Sequence, residues 1–364
     1  MTMLREPCGF LWLAMLLAFL LAVGIGTTGD LPFGAAAGVL GLILFGVFDQ
    51  ARHGTVADIA IALLLGLTGG ALLAFPQPSL PYWAMLAAHW LGAWMLVARL
   101  TARRRWPGLL ARVQALLPPL VFGVTLLFLW QAAVRALNVP RVILPAPSEI
   151  GARFAGSLDV LWVDLVQTFA KGALSGYAIG VGAAFLFALL VDRVDFLRRG
   201  LLPVGNFLSA LPIIGTAPIF VMWFGFDWPS KAAVVVAMVF FPMLVNTVQG
   251  LAATDRMQRD LMHTYSASWA QTLFKLRLPA ALPFVFNGLK ICATLALIGA
   301  IVAEFFGSPT RGMGFRISTE VGRLQLDLVW AEITMAALAG SVFYGFWALI
   351  ERRATFWHPS QRGL

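Results

Sequence analysis

The side chains that could carry covalent chemistry in this chain are few and scattered. Cys8 and Cys292 stand far apart, in or beside apolar runs, so neither a disulfide framework nor a CxxC metal pattern is available, and both read as small apolar fillers. His53, His89, His263 and His358 are dispersed, none at ligand spacing from another histidine, cysteine or carboxylate, and each reads as structural. A GxxxxGK[ST] phosphate loop, an HExxH helix and a GxSxG elbow are all missing. No metal and no cofactor are expected, and an enzyme reading fails for want of a clustered nucleophile, base or metal set. Any ATP that the chain's work requires must be hydrolysed by a separate subunit.

The remaining candidates are polar residues set within apolar runs: Asn246, Asn287, Lys290, Glu304 and Glu332. Such residues are functional candidates where a helix crosses a membrane, and composition says that helices here do. Apolar residues make up 60% of the 364 positions and charged residues 12%. Mean hydropathy is +0.84, which places the chain among all-α polytopic membrane proteins. A spanning helix needs about 20 mainly apolar residues, and hydropathy marks roughly ten such segments. They centre on Phe10 to Val23, Phe33 to Phe48, Val56 to Phe75, Tyr82 to Val97, Leu116 to Ala133, Gly172 to Val191, Leu201 to Phe224, Ala232 to Val248, Phe284 to Val302 and Val329 to Ile350. The first, with Arg5 ahead of it, is expected to be a retained anchor rather than the apolar region of a signal peptide.

The cations orient these segments. Arg99 to Arg112, Arg193 to Arg199, Arg256 to Arg277 and Arg352 to Arg362 fall on one side of a ten-span chain together with Arg5 and Arg52. The positive-inside rule makes that side, and both termini, cytoplasmic. The net charge of +9 is thus mostly topogenic, and no nucleic-acid partner is expected. Asn246, Asn287 and Lys290 then lie toward the cytoplasmic ends of their spans, where snorkelling and capping account for them. Glu304 and Glu332 lie at outer ends, to pair with Arg311, Arg316 or Arg323 or to form part of an outer gate. Proton carriage by either glutamate is the rival reading, that of an ion-coupled secondary transporter.

The charged, proline-bearing break TARRRWPGLLARVQALLPP divides the chain into an N-terminal four-helix membrane extension over 1–100, a basic linker over 101–115, a region of six spans over 116–359 and a tail over 360–364. Beyond the fifth span, Pro140, Pro145 and Pro147 impose extended or turning backbone. Residues 148–165 then show helical spacing with charges on one surface, the pattern of a helix lying along the interface rather than a span. The seventh segment is interrupted by Pro203, Pro212, Gly215 and Pro218. Backbone groups freed by proline are costly in lipid unless protein or a water-filled cavity satisfies them. Pro212, Gly215 and Pro218, with Asn246 and Glu304, are therefore the pathway candidates.

One stretch is polar and helix-prone between two apolar spans: GLAATDRMQRDLMHTYSASWAQTLFKLRLPAALP, Gly250 to Pro283. Asp260 to Tyr265 suit a short helix, Ser266 and Ala267 a tight corner, and Ala270 to Leu276 a second helix, which Pro279 and Pro283 are expected to stop. A helix-turn-helix of this kind can seat in a partner's groove and transmit a rigid push. The alternative is an amphipathic loop resting on anionic membrane lipid through Arg256, Arg259, Lys275 and Arg277.

At these residues the chain resembles the binding-protein-dependent ABC importer permeases, whose coupling loop runs Glu-Ala-Ala, three residues, Gly, then about a dozen residues to an Ile/Leu-Pro. Counting back from Pro279 puts Asp260 at the Glu, Leu261 and Met262 at the two Ala, Ser266 at the Gly and Leu278-Pro279 at the close. Ser in place of Gly is the main departure, since a left-handed corner strains Ser by about 1 kcal/mol. Either the corner differs or the strain is tolerated. VILPAPSEI, LPIIGTAPIFVMWFGF, FFPMLVNTVQGL, LPAALPFVFNGLKI, IVAEFFG and GMGFRI extend the resemblance over about Leu116 to Pro359, toward the nitrate/sulfonate/taurine branch.

The resemblance implies a type I ABC importer core of about six helices with about four extra N-terminal helices, in a bacterial inner membrane. The partners it implies are separate ABC ATPase subunits, a periplasmic solute-binding protein and a second permease chain, identical or paralogous. Arg259, Asp260, His263, Thr264, Tyr265, Ser266, Ala267, Leu278 and Pro279 become the ATPase-coupling residues. The cargo it implies is a small organic solute, of the pyrimidine, thiamine-precursor or riboflavin kind or a sulfonate/nitrate-type anion.

Overall fold

The computed structural model describes residues 55–358 except 75, 77, 103–109, 195, 198, 202–203, 206–211 and 308–310. Two compact units emerge, 1–150 and 151–364. The described residues contain no strand, and six of their helices are long and apolar enough to cross a membrane. The expected spans at Phe10 to Val23 and Phe33 to Phe48, with Cys8, His53, Pro203, residues 103–109 of the basic linker and the tail over 360–364, lie outside the described residues.

In the first unit α1 (Thr55–Ala74), α2 (Leu80–Ala102) and α3 (Leu110–Ala136) pack with α2 against both neighbours. Polar groups within these apolar helices pair off, as lipid requires. Tyr82 donates its hydroxyl to the Ala132 carbonyl at 3.0 Å, His89 Nδ1 lies 3.1 Å from Thr68 Oγ1, and Arg99 meets Asp58 at 2.7 Å. At the end of α3, Asn138 takes a left-handed φ of 49°, a conformation Asn tolerates, and the Val139 N–H returns to the Val134 carbonyl. Gln131 then grips the following turn, donating to Ser148 Oγ and accepting the Ser148 N–H. That turn leads into α4 (Pro147–Gly156).

The second unit is a helical bundle built around α7 (Trp228–Ala252), which packs chiefly on α9 (Trp269–Gly307) and α5 (Leu158–Arg193). α6 (Ile213–Phe224), α8 (Arg256–Thr264), α10 (Met313–Gly322) and α11 (Leu326–Ala354) complete it. Close approach comes from small residues. On α5, Gly172, Gly176, Gly180, Ala184 and Ala188 recur every fourth position, and all are buried. A Cβ at Gly176 would lie 2.5 Å from Val235 Cβ, and one at Gly180 2.5 Å from Val239 Cγ2. In lipid, where apolar burial drives nothing, such contact is what holds helices together.

Two expectations are corrected. The interfacial helix foreseen over 148–165 is only α4. From Leu158 the chain runs as one helix through a π segment, Val166–Ala173, into the sixth span. Asp164, taken from the sequence for a surface charge, is buried and compensated within the bundle. Likewise Pro279 and Pro283 do not stop a helix: α9 is continuous from Trp269 to Gly307. A π segment at Leu273–Arg277, where the Leu278 N–H reaches back to the Leu273 carbonyl, widens the turn just before Pro279. Proline's missing donor and its clash with the preceding turn are absorbed there.

Candidate functional site

The Gly250 to Pro283 stretch folds as a helical hairpin projecting from one end of the second unit. Its two feet are pinched together, because a Cβ at Gly250 would come within 2.8 Å of Phe284 Cβ. Asp255 opens α8 in extended backbone, and its N–H donates to Gln258 Oε1 at 3.3 Å. No α8 residue is buried, although Met257, Leu261 and Tyr265 form an apolar row at four-residue spacing, exposed by 77%, 56% and 78%. Arg259 reaches back to the Thr254 carbonyl at 3.0 Å, whereas Asp260 meets only the exposed Arg256, at 4.0 Å. A surface pair of that kind contributes about 0–1 kcal/mol. Thr264 returns its hydroxyl to the Asp260 carbonyl.

The corner after α8 closes as a Schellman turn. The Ser266 N–H donates to the His263 carbonyl at 2.9 Å, the Ala267 N–H to the Met262 carbonyl at 3.0 Å, and Ser266 itself sits at φ 53°. Ser266 therefore holds the left-handed conformation that glycine adopts without strain, so the corner is kept and the serine strain tolerated. Ser268 restarts the helix with a reciprocal box, its N–H donating to Gln271 Oε1 at 2.8 Å and its hydroxyl accepting the Gln271 N–H.

Arg277 braces the hairpin. Its two terminal nitrogens meet Asp192 at the end of α5 at 2.6 and 2.5 Å, and its guanidinium also donates to the Leu251 carbonyl at the end of α7. This fork ties α9 to α5 and α7 at the root of the projection. Arg193 lies over the Trp269 ring at 5.0 Å. A cleft of about 340 Å³ opens between root and projection, lined by Asp192, Arg259, His263, Ala267, Thr272 and Arg277. Of the expected coupling residues, Arg259 to Tyr265 are on or at the end of α8 and Ser266 and Ala267 make the corner. Leu278 and Pro279 are half-buried in the wall of α9 rather than on the exposed helix.

The opposite end of the bundle holds a buried polar hub. Lys231 near the start of α7 and Glu304 near the end of α9 pair at 3.0 Å, with side chains 1% and 0% exposed. Thr168 Oγ1 and the Gly314 N–H donate to Glu304 Oε2 at 2.8 and 2.9 Å, and the Met313 N–H donates to Thr168 Oγ1. Asp164 accepts the Gly312 N–H and the Arg316 Nε–H, both at 2.8 Å. Gly312, at φ 125°, and Gly314 press so close that a Cβ on either would collide with Glu304. The sequence expectation that Glu304 pairs with Arg311, Arg316 or Arg323 is thus corrected: Lys231 takes it, Arg316 goes to Asp164 and Arg323 to Glu320.

The remaining polar candidates bridge helices. Asn287 Nδ2 donates to Asn246 Oδ1 at 3.0 Å, Asn246 Nδ2 to the Pro242 carbonyl, and Lys290 to Glu351 at 2.6 Å, in place of the snorkelling expected for Lys290. Asn246 stands about 22 Å along α7 from Lys231 at the helical rise, so the pathway candidates do not form one cluster. Pro212 and Gly215 are exposed at the start of α6 and Pro218 is half-buried within it. The 12 residues of α6 cover about 18 Å, short of the roughly 30 Å of a hydrocarbon core. Lys231 and Thr168 escaped the sequence reading as site residues, and Asp164 entered it only as a surface charge. The one signal that could have raised Lys231 is a lone lysine inside an apolar run.

Fold and site define a multi-pass helical membrane protein with a braced hairpin at one end of its second unit. Residues 176–356 match the family described as binding-protein-dependent transport system inner membrane component, and the chain belongs to that family. It is 31% identical over 246 residues, 67% of this chain and 97% of the relative, to the formylaminopyrimidine transport permease protein ThiX of Halalkalibacterium halodurans. It is 30% identical over 248 residues, 67% of this chain and 92% of the relative, to the riboflavin transport system permease protein RibX of Chloroflexus aurantiacus. To the taurine transport system permease protein TauC of Escherichia coli it is 28% identical over 261 residues, 70% of this chain and 93% of the relative. The chain is accordingly a permease subunit of an ABC importer, a multi-pass inner-membrane protein that works with an ATPase and a solute-binding protein, with ATP hydrolysed in separate subunits. The ion-coupled reading gives way to it.

Proposed function

We propose that α8 and its Ser266 corner form the surface that seats in a groove of the ATPase. The carrying observation is the exposed apolar row of Met257, Leu261 and Tyr265 on a helix rooted by Arg277 in α5 and α7. Closure of the ATPases on ATP pushes α8, and the Arg277 fork passes that push to both helices as a rigid body. Arg259, Asp260, His263, Thr264 and Ala267 flank the apolar row and set register. Leu278 and Pro279 belong to the stem that transmits the motion. In this orientation both termini and α8 are cytoplasmic, and the Glu304 hub is periplasmic, beneath the solute-binding protein.

A second permease chain, identical or paralogous, completes the pathway, with α6 and its exposed Met222 and Trp223 among the surfaces turned to it or to lipid. Pro212, Gly215 and Pro218 let α6 tilt as access alternates, and Asn246 lies nearer the cytoplasmic mouth. Residues 1–100 act as an appended membrane extension, with the basic linker 101–115 on anionic lipid. The cargo is a small organic solute of the pyrimidine, thiamine-precursor or riboflavin kind, as the names of two relatives suggest. A sulfonate-type anion is the second reading, favoured by the likeness to the taurine permease. Ligand profiling of the cognate binding protein separates the two. Reversing the charges of Arg259 and Asp260 together, or deleting residues 265–267, is expected to abolish co-purification of the ATPase while membrane insertion stays intact. Undiminished co-purification defeats the docking reading.

A further inference from the structure

Glu332, one helical turn and a half into α11, is 0% exposed, and neither of its carboxylate oxygens has a hydrogen-bond partner. A buried polar group left without a partner calls for a specific cause. Three elements bring charged groups to bear on it: α5 with Asp164, α10 with Arg316 and α9 with Glu304. The Asp164 carboxyl comes within hydrogen-bonding reach where α5 packs on α11 through Leu161 and Ala331, an arrangement of two acceptors with no donor between them unless one holds a proton.

The other donors of the hub are committed. Lys231, Thr168 and the Gly314 N–H serve Glu304, while the Gly312 N–H and Arg316 serve Asp164. Fully ionised, Asp164, Glu304 and Glu332 set three negative charges against the two positive charges of Lys231 and Arg316. The neighbouring Glu320 and Arg323 pair with each other and add no net charge. Two carboxylates side by side in a low dielectric do not both ionise; they share a proton. Among the described residues no group of three side chains able to hold a metal ion is present.

We propose that Glu332 and Asp164 form a proton-binding site, in which Glu332 carries the proton and donates it to Asp164. The bond is Glu332 Oε–H to Asp164 Oδ. It brings the hub to charge balance and fastens the start of α11 to α5, while Arg316 fastens α10 to the same carboxylate. This inference rests on contacts inside one bundle and is independent of the docking reading.

The test uses the full chain in its assembled transporter, reconstituted in lipid. Infrared spectra of the wild type and E332Q are compared at pH 7 to 8. Expected is a protonated-carboxyl C=O band in the wild type, shifted in heavy water and lost in E332Q. The E332Q carboxamide still donates to Asp164, so its melting midpoint stays within about 2 °C of the wild type. E332L, similar in volume and without a donor, melts several degrees lower. A wild-type spectrum without that band, or one in which E332Q removes only carboxylate absorption, overturns the proposal. So does E332Q melting as low as E332L or failing to assemble, since a neutral donor at this position is all that the proposal requires.

Discussion

Replacing Lys231 with Met removes the cation from a pair in which neither side chain is more than 1% exposed and leaves the Glu304 carboxyl buried without it. Thr168 and the Gly314 N–H remain on Glu304 Oε2, whereas Oε1 loses its partner. Breaking a buried pair from one side costs about 3–5 kcal/mol. At about 2–4 °C per kcal/mol for a unit of this size, the melting midpoint of the purified transporter falls on the order of 6 to 20 °C. The informative companion is K231M/E304Q, which removes both charges and keeps an oxygen that accepts from Thr168 and Gly314. It is expected to recover most of the loss, with a coupling energy of about 2–3 kcal/mol in the double-mutant cycle. Scanning fluorimetry gives the midpoints, and solute uptake into proteoliposomes shows whether the restored fold also transports. A double variant no more stable than K231M alone would refute the reasoning, because the cost would then lie in lost packing of the lysine stem and not in a stranded charge.

Two further outcomes follow from the hairpin. Arg277→Ala strips Asp192 of its bidentate partner and unties the projection from α5 and α7, so ATP hydrolysis per solute imported is expected to rise at least severalfold, with Arg277→Lys between it and the wild type because it keeps the charge and loses the fork. Ser266→Gly removes about 1 kcal/mol of left-handed strain at φ 53° and keeps ATPase co-purification intact, while Ser266→Val, β-branched at a positive φ, weakens it severalfold in a pull-down.

The features visible from local pattern and those that needed the fold separate cleanly by range. Hydropathy marks a helix wherever a long apolar run exists, and the described spans lie on such runs, as at Trp228–Ala252 and Leu326–Ala354. The polar passage from Gly250 to Pro283 stood out because charge there interrupts oil. The pairing of Lys231 with Glu304 spans 73 positions and that of Arg316 with Asp164 spans 152, and periodicity carries no information about such partners. Asp164 was misjudged because helical spacing alone does not show whether a charged face meets water or a guanidinium. Pro279 misled for a local reason, since the rule that proline ends a helix assumes an α turn before it and α9 supplies a π turn, whereas Pro283 is carried inside the α-helical run Leu278–Gly307. The four-residue recurrence of Gly172, Gly176 and Gly180 carries a period but was not read from the sequence; only the fold shows that these glycines meet α7.

The claim that α8 is the ATPase's seat is tested most directly by a photocrosslinking side chain placed at Leu261, in the middle of the exposed row, with a control at Met222 on α6. Both positions are exposed, by 56% and 83%, so access alone does not separate them. The account predicts an ATPase adduct from position 261 in the assembled transporter and none from position 222. No ATPase adduct from 261, or adducts of equal yield from both, contradicts it.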